Sequence, residues 1–322
     1  MKRPHGGALD PTLLDFSASI NPLGPPEAVR EVLLRAPDLA TRYPSPDAGE
    51  LSEALARHHG VPAACVLAGN GSTQLIYLVA QLLSGTPAWV VTPAFTEYED
   101  ACEACGLPLT RTRPGVTFVG NPTSPEGRLL AREDVLALPG TVVVDEAFME
   151  FAGDRESLVR RAAEDPRLVV LRSLTKFYAL PGLRLGYLVA VPEMVERLRR
   201  LQPPWSVNAL AVAAGQAALA DPAYRDRTRR VVGELRDELT RGLREVGLVP
   251  SPSEANFVLC RVPDAGGLCR ALWESGIVAR NCDSFTGLPP NRYVRFAVRP
   301  RPEQERLLGV LREVVPRCSA GR

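Results

Sequence analysis

The chain is predicted to fold as an α/β protein with a mainly parallel sheet, followed by a smaller α+β unit. Between Ala48 and Val191, short β-branched runs alternate with helix-like stretches, and each run leaves into a polar or Gly/Pro-rich exit. After Pro203 and Pro204 the texture changes to amphipathic helices mixed with short strands. Continuous apolar runs joined by helical segments are the pattern of strands buried on both faces.

The elements follow in order. The N-terminal segment 1–45 is rich in Pro and Gly, lacks strong periodicity, and reads as an arm lying over another part of the molecule. A large domain is expected over 46–212. Its runs are AWVVTP (Ala88 to Pro93), VTFVGNP (Val116 to Pro122), TVVVDEA (Thr141 to Ala147), LVVLRSL (Leu168 to Leu174) and GYLVAV (Gly186 to Val191), with STQLIYLVAQLLSG (Ser72 to Gly85) as a helix. Ligands of such sheets bind beyond the carboxyl ends of the strands. That rule singles out Phe95 and Tyr98, Asn121 to Gly127, Asp145 and Phe148, and Ser173 to Lys176. A smaller domain is expected over 213–322. The small-residue helix NALAVAAGQAALA leads into it, and a long helix from Tyr224 to Val246 carries many arginines on its wet face. Strand-like ANFVLCRV, helix-like LCRALWESG, strand-like IVARN and YVRFAV, and a last helix from Pro302 to Val315 complete it.

At 322 residues, 45% hydrophobic and 23% charged, the chain is long enough for a substantial core in two domains. A net charge of +1, with arginines scattered among acids, leaves no basic stripe for nucleic acid. No apolar run approaches the ~20 residues of a membrane span, and the opening MKRPHGG lacks the apolar stretch of a signal peptide, so a cytoplasmic protein is expected. The pair Cys102 and Cys105 forms a CxxC with no second pair and only three histidines in the chain. It reads as two small helix residues facing a core, and no metal is expected.

Of the 38 cationic side chains only Lys2 and Lys176 are lysine. Wherever a generic positive charge suffices, this chain uses guanidinium. A lysine amine differs in that it can shed its proton and attack a carbonyl, so Lys176 is either marked for chemistry or a surface lysine that survives by chance in an arginine-biased chain.

Five features combine into a pocket for pyridoxal phosphate. GNGSTQ (Gly69 to Gln74) is a Gly-rich turn opening a helix, either an anion site built on backbone N–H groups or an ordinary helix start capped by Ser72. Asp145 ends a strand, where a carboxylate holds a pyridine nitrogen protonated or simply caps the strand. Lys176 has Ser173 and Thr175 before it and Arg184 after it, an amine with hydroxyl and guanidinium groups for a phosphate. Phe95 stands beyond a strand end, available to stack on a flat ring or to join the core. Arg295 and Arg280 sit inside short strands, where a bound carboxylate or phosphate explains them better than packing does.

The ordered set GNGSTQ, PAFTEY, NPTSPEG, DEAFMEF, SLTKFYALPGLRLGY and YVRFAV resembles the fold-type I pyridoxal-phosphate enzymes nearly end to end. The similarity is to the branch that holds histidinol-phosphate aminotransferases and the threonine-phosphate decarboxylases of cobalamin synthesis. HGG (His5 to Gly7), LDFSASINPLGPP (Leu14 to Pro26), TKFYALPGLRLGY and PPWSVNALA (Pro203 to Ala211) resemble the decarboxylase side. The resemblance implies that Lys176 forms the Schiff base and Asp145 partners the pyridine nitrogen. It implies that Phe95 stacks on the ring, and that Ser72, Thr73, Ser173, Arg184 and, from a second subunit, Tyr43 hold the phosphate. Arg295 is implied to take the substrate carboxylate, with Arg280, His5 and Asn21 around the substrate's carboxylate and phosphate. A homodimer with a shared site follows from Tyr43.

Two positions depart from that pattern. Ser124 stands where family members carry an asparagine that donates to the cofactor's phenolic oxygen, and Phe148 stands where aminotransferases carry a supporting tyrosine. Ser124 through a water, Asn121 or Asn208 are left to fill that place. The implied reaction is decarboxylation of L-threonine O-3-phosphate to (R)-1-amino-2-propanol O-2-phosphate. Histidinol-phosphate-type amino transfer is the alternative, and a catalytically silent binding protein is the third.

Overall fold

The computed structural model describes residues 6–320. After β1 (Leu14–Asp15) come the strands of the large sheet: β2 (Val66–Asn70), β3 (Ala88–Val90), β4 (Val116–Gly120), β5 (Thr141–Asp145), β6 (Leu168–Ser173) and β7 (Leu185–Val189). They lie in the order β2-β7-β6-β5-β4-β3. Strands β3 to β6 are mutually parallel, and β7 is antiparallel to both β6 and β2. The reversal has a local cause. Between β6 and β7 the chain forms only the one-turn helix Leu174–Phe177 and the short turn Pro181–Leu183, too little for a crossover that would return it parallel. Lys176 rides on that short connection.

Alternation along the strands divides the core into two layers. Val142, Val144, Leu168, Val170, Tyr187 and Val189 join the cluster that continues into the C-terminal lobe. Val143, Val169, Leu171 and Leu188 join the second cluster, under the helices Gly71–Leu82 and Glu97–Cys105. The smaller lobe adds β8 (Val249–Pro250), β9 (Phe257–Arg261), β10 (Ile277–Val278), β11 (Arg280–Asn281) and β12 (Tyr293–Ala297). Four of these form an antiparallel sheet in the order β11-β12-β9-β8, while β10 pairs in parallel with β1. The helix Pro222–Glu245 braces it, burying Tyr224, Thr228, Val232, Leu235, Leu239 and Leu243 at three- and four-residue spacing.

Several expectations need correction. VLAGN is a strand, β2, although its short length and glycine hid it. The run IVARN is two strands that pair with different partners, because the chain switches from β1 to β12 at Ala279. The segment read as an irregular arm contains β1 and the helices Glu27–Leu34 and Ala36–Ala40, the first of which packs on the small-residue helix Ala209–Leu219. Helix Gly71–Leu82 starts before Ser72, so Ser72 does not cap it; Asn70 holds the cap position and its N–H donates to Gln74 Oε1 at 2.8 Å. Cys102 is buried and Cys105 half-buried on helix Glu97–Cys105, and burial pushes both thiols up.

Candidate active site

The carboxyl ends of β4, β5 and β6 gather the polar groups. Asp145, the last residue of β5, is buried, and its two oxygens are held separately. The hydroxyl of Tyr98 donates to Oδ2 at 2.8 Å and the N–H of Ala147 donates to Oδ1 at 2.9 Å. Burial pushes this carboxyl up, while Tyr98, the Ala147 N–H and the Lys176 charge pull it back towards the ionised form. Tyr98 itself is fixed between Phe118, stacked at 6.1 Å between ring centroids, and Phe95, edge-on at 5.8 Å. Lys176 is half-buried beside this carboxylate. Its pKa is lowered to about 8, first by burial and then by the guanidiniums of Arg295 and Arg184, against the pull of Asp145. The amine is therefore a usable nucleophile near neutral pH, where an ordinary lysine is not.

A candidate anion cradle lies where β2 and β6 end and β7 begins. Ser173 pairs across the sheet with Gly186, and Gly186 with Gly69. A Cβ on Gly186 would come within 2.4 Å of the Ser72 nitrogen, so only glycine lets the start of helix Gly71–Leu82 settle on the sheet. Gly71 has φ +75°, and a Cβ there would meet Arg184 Nη2 at 2.7 Å. The Arg184 guanidinium thus lies against the same helix N-terminus that carries Ser72 and Thr73. Ser173 caps the Lys176 helix, accepting from the Thr175 N–H at 3.3 Å and sharing a 2.7 Å hydrogen bond with the Thr175 hydroxyl. Unpaired N–H groups, a hydroxyl and a permanent cation on one spot suit a phosphate.

The smaller lobe supplies two arginines. Arg280 and Arg295 are register partners on β11 and β12, both buried. Arg295 Nη1 donates to Ser124 Oγ at 3.2 Å and Nη2 to the Ser17 carbonyl at 3.5 Å, its plane lies 4.7 Å from the Phe257 ring, and its Nε has no partner. Burial lowers its pKa to about 10, a sign of charge held without a carboxylate. Arg280 donates to Ser284 Oγ at 2.9 Å and lies over Phe285. Arg280, Ser17 and Ser284 also line a cavity of about 360 Å³ with Gly6 and Gly7.

Other expected residues are occupied elsewhere. Asn21 is buried with its amide nitrogen on the Phe177 carbonyl, Tyr224 and Thr228, so it ties the N-terminal segment to the Lys176 helix. Asn121 is spent on the Leu130 backbone and Asn208 caps helix Ala209–Leu219. Ser124 is turned to Arg295, and Phe148 packs edge-on against Phe257. Tyr43 is exposed, with its ring 5.4 Å from that of Trp205. His5 lies outside the described residues. Sequence reasoning placed Tyr98 at a strand exit without giving it a function; its spacing of three from Phe95 on an incipient helix is the signal that was available.

Comparison with known proteins agrees with this architecture. The chain is 40% identical to threonine-phosphate decarboxylase of Salmonella typhimurium over 94% of its own length and 91% of that protein's. It is 34% identical to histidinol-phosphate aminotransferase of Nitratidesulfovibrio vulgaris over 94% and 89%. The crystal structure of histidinol-phosphate aminotransferase from Sinorhizobium meliloti in complex with pyridoxal-5'-phosphate superposes with a TM-score of 0.86 at 25% identity, covering 93% of this chain and 90% of that one. The fold is that of the fold-type I transferases. With the family model matching residues 11–311, the chain belongs to the aminotransferase class I and II family.

Proposed function

We propose that this chain is a pyridoxal-phosphate-dependent decarboxylase of L-threonine O-3-phosphate, producing (R)-1-amino-2-propanol O-2-phosphate for cobalamin synthesis. The observation that carries the reading is the 40% identity to a threonine-phosphate decarboxylase across nearly the whole of both proteins, against 34% to the aminotransferase. The residues fit the cofactor. Gly71 and Gly186 leave room against Arg184 and Ser72 that any Cβ would fill, and the lowered Lys176 faces a carboxylate fixed by Tyr98.

When bound, the cofactor supplies an electron sink for the pair released as a bond at Cα breaks. Ser72, Thr73, Ser173 and Arg184 would hold its phosphate, Asp145 would face its ring nitrogen, and Phe95 would pack on its ring. Tyr98 keeps Asp145 oriented and charged. Arg295 takes the substrate carboxylate. Ser124, whose hydroxyl oxygen accepts from Arg295 Nη1, acts on the orientation of that guanidinium and not on the cofactor's phenolic oxygen. Arg295, by fixing the direction of the substrate carboxylate, would select whether CO2 or a proton leaves Cα. Lys176, neutral in a substantial fraction near pH 8, moves the proton at Cα.

The working unit is a homodimer in which Tyr43, exposed on one protomer, completes the phosphate site of the other. We assign residues 46–212 to the cofactor domain and 213–322 to the smaller domain; within the N-terminal arm 1–45, β1 pairs with β10 of the smaller domain while helix Glu27–Leu34 packs on Ala209–Leu219. The location is cytoplasmic; among the described residues no helix is long and apolar enough to cross a membrane. The test is to supply O-phospho-L-threonine and measure CO2 and the amino alcohol phosphate. Amino transfer between glutamate and imidazole-acetol phosphate without CO2 would replace this reading with the aminotransferase one. A preparation that stays colourless with added pyridoxal phosphate would leave only a silent binding protein.

A further inference from the structure

Strand alternation puts Arg172 on the opposite side of the sheet from its neighbour Ser173, with Leu168 and Val170. There it lines a cavity of about 570 Å³ together with Arg132, Arg160, Arg225, His58 and His59. Arg172 is buried. Its Nε pairs with Glu146 at 2.9 Å and its Nη2 donates to Asp154 at 2.7 Å and to Ser157 at 2.8 Å. Its Nη1 is buried with no partner, and so are the Nε atoms of Arg132 and Arg225.

The outer three guanidiniums donate hydrogen bonds only to neutral groups, although the buried Glu150 carboxyl, 4.0 Å from His58, feels the Arg225 charge. Arg132 donates to the Arg155 carbonyl, Arg160 to the His59 carbonyl, and Arg225 to the His58 ring at 3.2 Å. Among the described residues none of these three guanidiniums forms an ion pair. Asp154 is already taken by Arg172 and Arg229 at 2.7 Å each, and Glu164, the other acid on the wall, is exposed. His58 and His59 are held neutral, at about 4 and about 2, by burial first and then by Arg225 and Arg172 respectively, so they add hydrogen bonds and no charge.

Gathering unneutralised guanidiniums around one cavity costs folding free energy unless an anion enters. We propose that this cavity is a second anion site, separate from the catalytic one, which takes a phosphate group, free or carried by a small phosphorylated metabolite. Several guanidinium forks match the tetrahedral oxygens of phosphate better than they match a single carboxylate, and the volume suits a small phosphomonoester. The site also touches the catalytic machinery through the chain: Arg172 precedes Ser173, and its partner Glu146 follows Asp145.

The test is calorimetric titration of the protein saturated with pyridoxal phosphate, so that the cradle around Arg184 is filled. Inorganic phosphate is the first probe and phosphoethanolamine the second. Arg295→Gln, which disables the catalytic anion contact, should retain saturable phosphate binding. Arg160→Gln/Arg225→Gln should weaken that component about 10-fold or more while leaving turnover in phosphate-free buffer unchanged. Equal affinity for both probes identifies the free anion, and tighter binding of the ester identifies a metabolite; either supports the site. Identical binding by wild type and the double variant, or loss of all binding in Arg295→Gln, would overturn it. Arg132→Gln repeats the test if the double variant unfolds below wild type in a thermal scan without phosphate.

Discussion

The two faces of the sheet at the ends of β5 and β6 handle charge in opposite ways within a distance of one residue. Asp145 and Ser173 turn to the side where Lys176 is depressed towards neutrality and where Arg295 has no carboxylate partner. Glu146 and Arg172 turn to the other side and pair at 2.9 Å in a fully buried contact that Asp154, Ser157 and the Leu158 N–H complete. Both sides are desolvated, so both magnify electrostatics. On the first side the imbalance is left open to a ligand. On the second the innermost pair is closed internally, and only the arginines further out lack counter-charges. The contrast explains why neighbouring residues can serve reactivity and rigidity: the strand holds them at fixed height, and alternation keeps their fields apart.

Perturbing each side separately tests this contrast. The largest effect is expected from Lys176→Ala, which removes the only lysine of the site. Decarboxylation should fall by about 10³-fold or more, with the cofactor's visible absorbance bound to the protein abolished and thermal stability little changed. On the opposite side, Arg172→Met leaves Glu146 buried and uncompensated. Urea unfolding should report a loss of about 3–5 kcal/mol, and adding Glu146→Leu should recover part of it; full activity with unchanged stability would show that the pair locks nothing. Gly186→Ala drives a Cβ into the Ser72 nitrogen and should cost about 1–3 kcal/mol together with weakened cofactor retention, measured by dialysis. A smaller change is expected from Tyr98→Phe, which deletes one hydrogen bond to Asp145: a drop of about 10-fold in kcat with KM for the substrate nearly constant. The gentlest probe is pH. Because Lys176 is lowered to about 8, the amine gains nucleophilicity as pH rises through that value, so cofactor uptake by apoprotein should rise and then level off above it. Arg295→Gln removes a neighbouring cation and should move the midpoint upward; a midpoint near the ordinary lysine value of 10.5 in the wild type would contradict the influence of burial and the arginines.

Much of the candidate cofactor face was legible because its residues follow strand ends directly. Asp145 after TVVV, Ser173 and Lys176 after LVVL, and the glycines before Ser72 each declare themselves within a few residues. The fold class was legible for the same reason, since two-sided burial writes itself as unbroken apolar runs. What the sequence could not show was whatever depends on a partner distant in the chain. The ties of Asn21 to Phe177, Tyr224 and Thr228 leave no trace near position 21. The contact that Ser124 makes with Arg295, far along the chain, is likewise invisible in the sequence. Tyr98 has no visible duty until β5 brings Asp145 to it. The basic cavity left no linear trace, because Arg132, Arg160, Arg172 and Arg225 come from four separate segments of an arginine-rich chain.

By itself the sequence determined the layers, the strand exits and the candidate amine, because periodicity and one internal lysine among arginines are local facts. Only the tertiary structure decided which hydroxyls and amides remain available, how far Lys176 is depressed, and on which face each charge lies. Those quantities depend on desolvation and on distances between groups that the chain brings together from far apart, and neither is encoded at any one position.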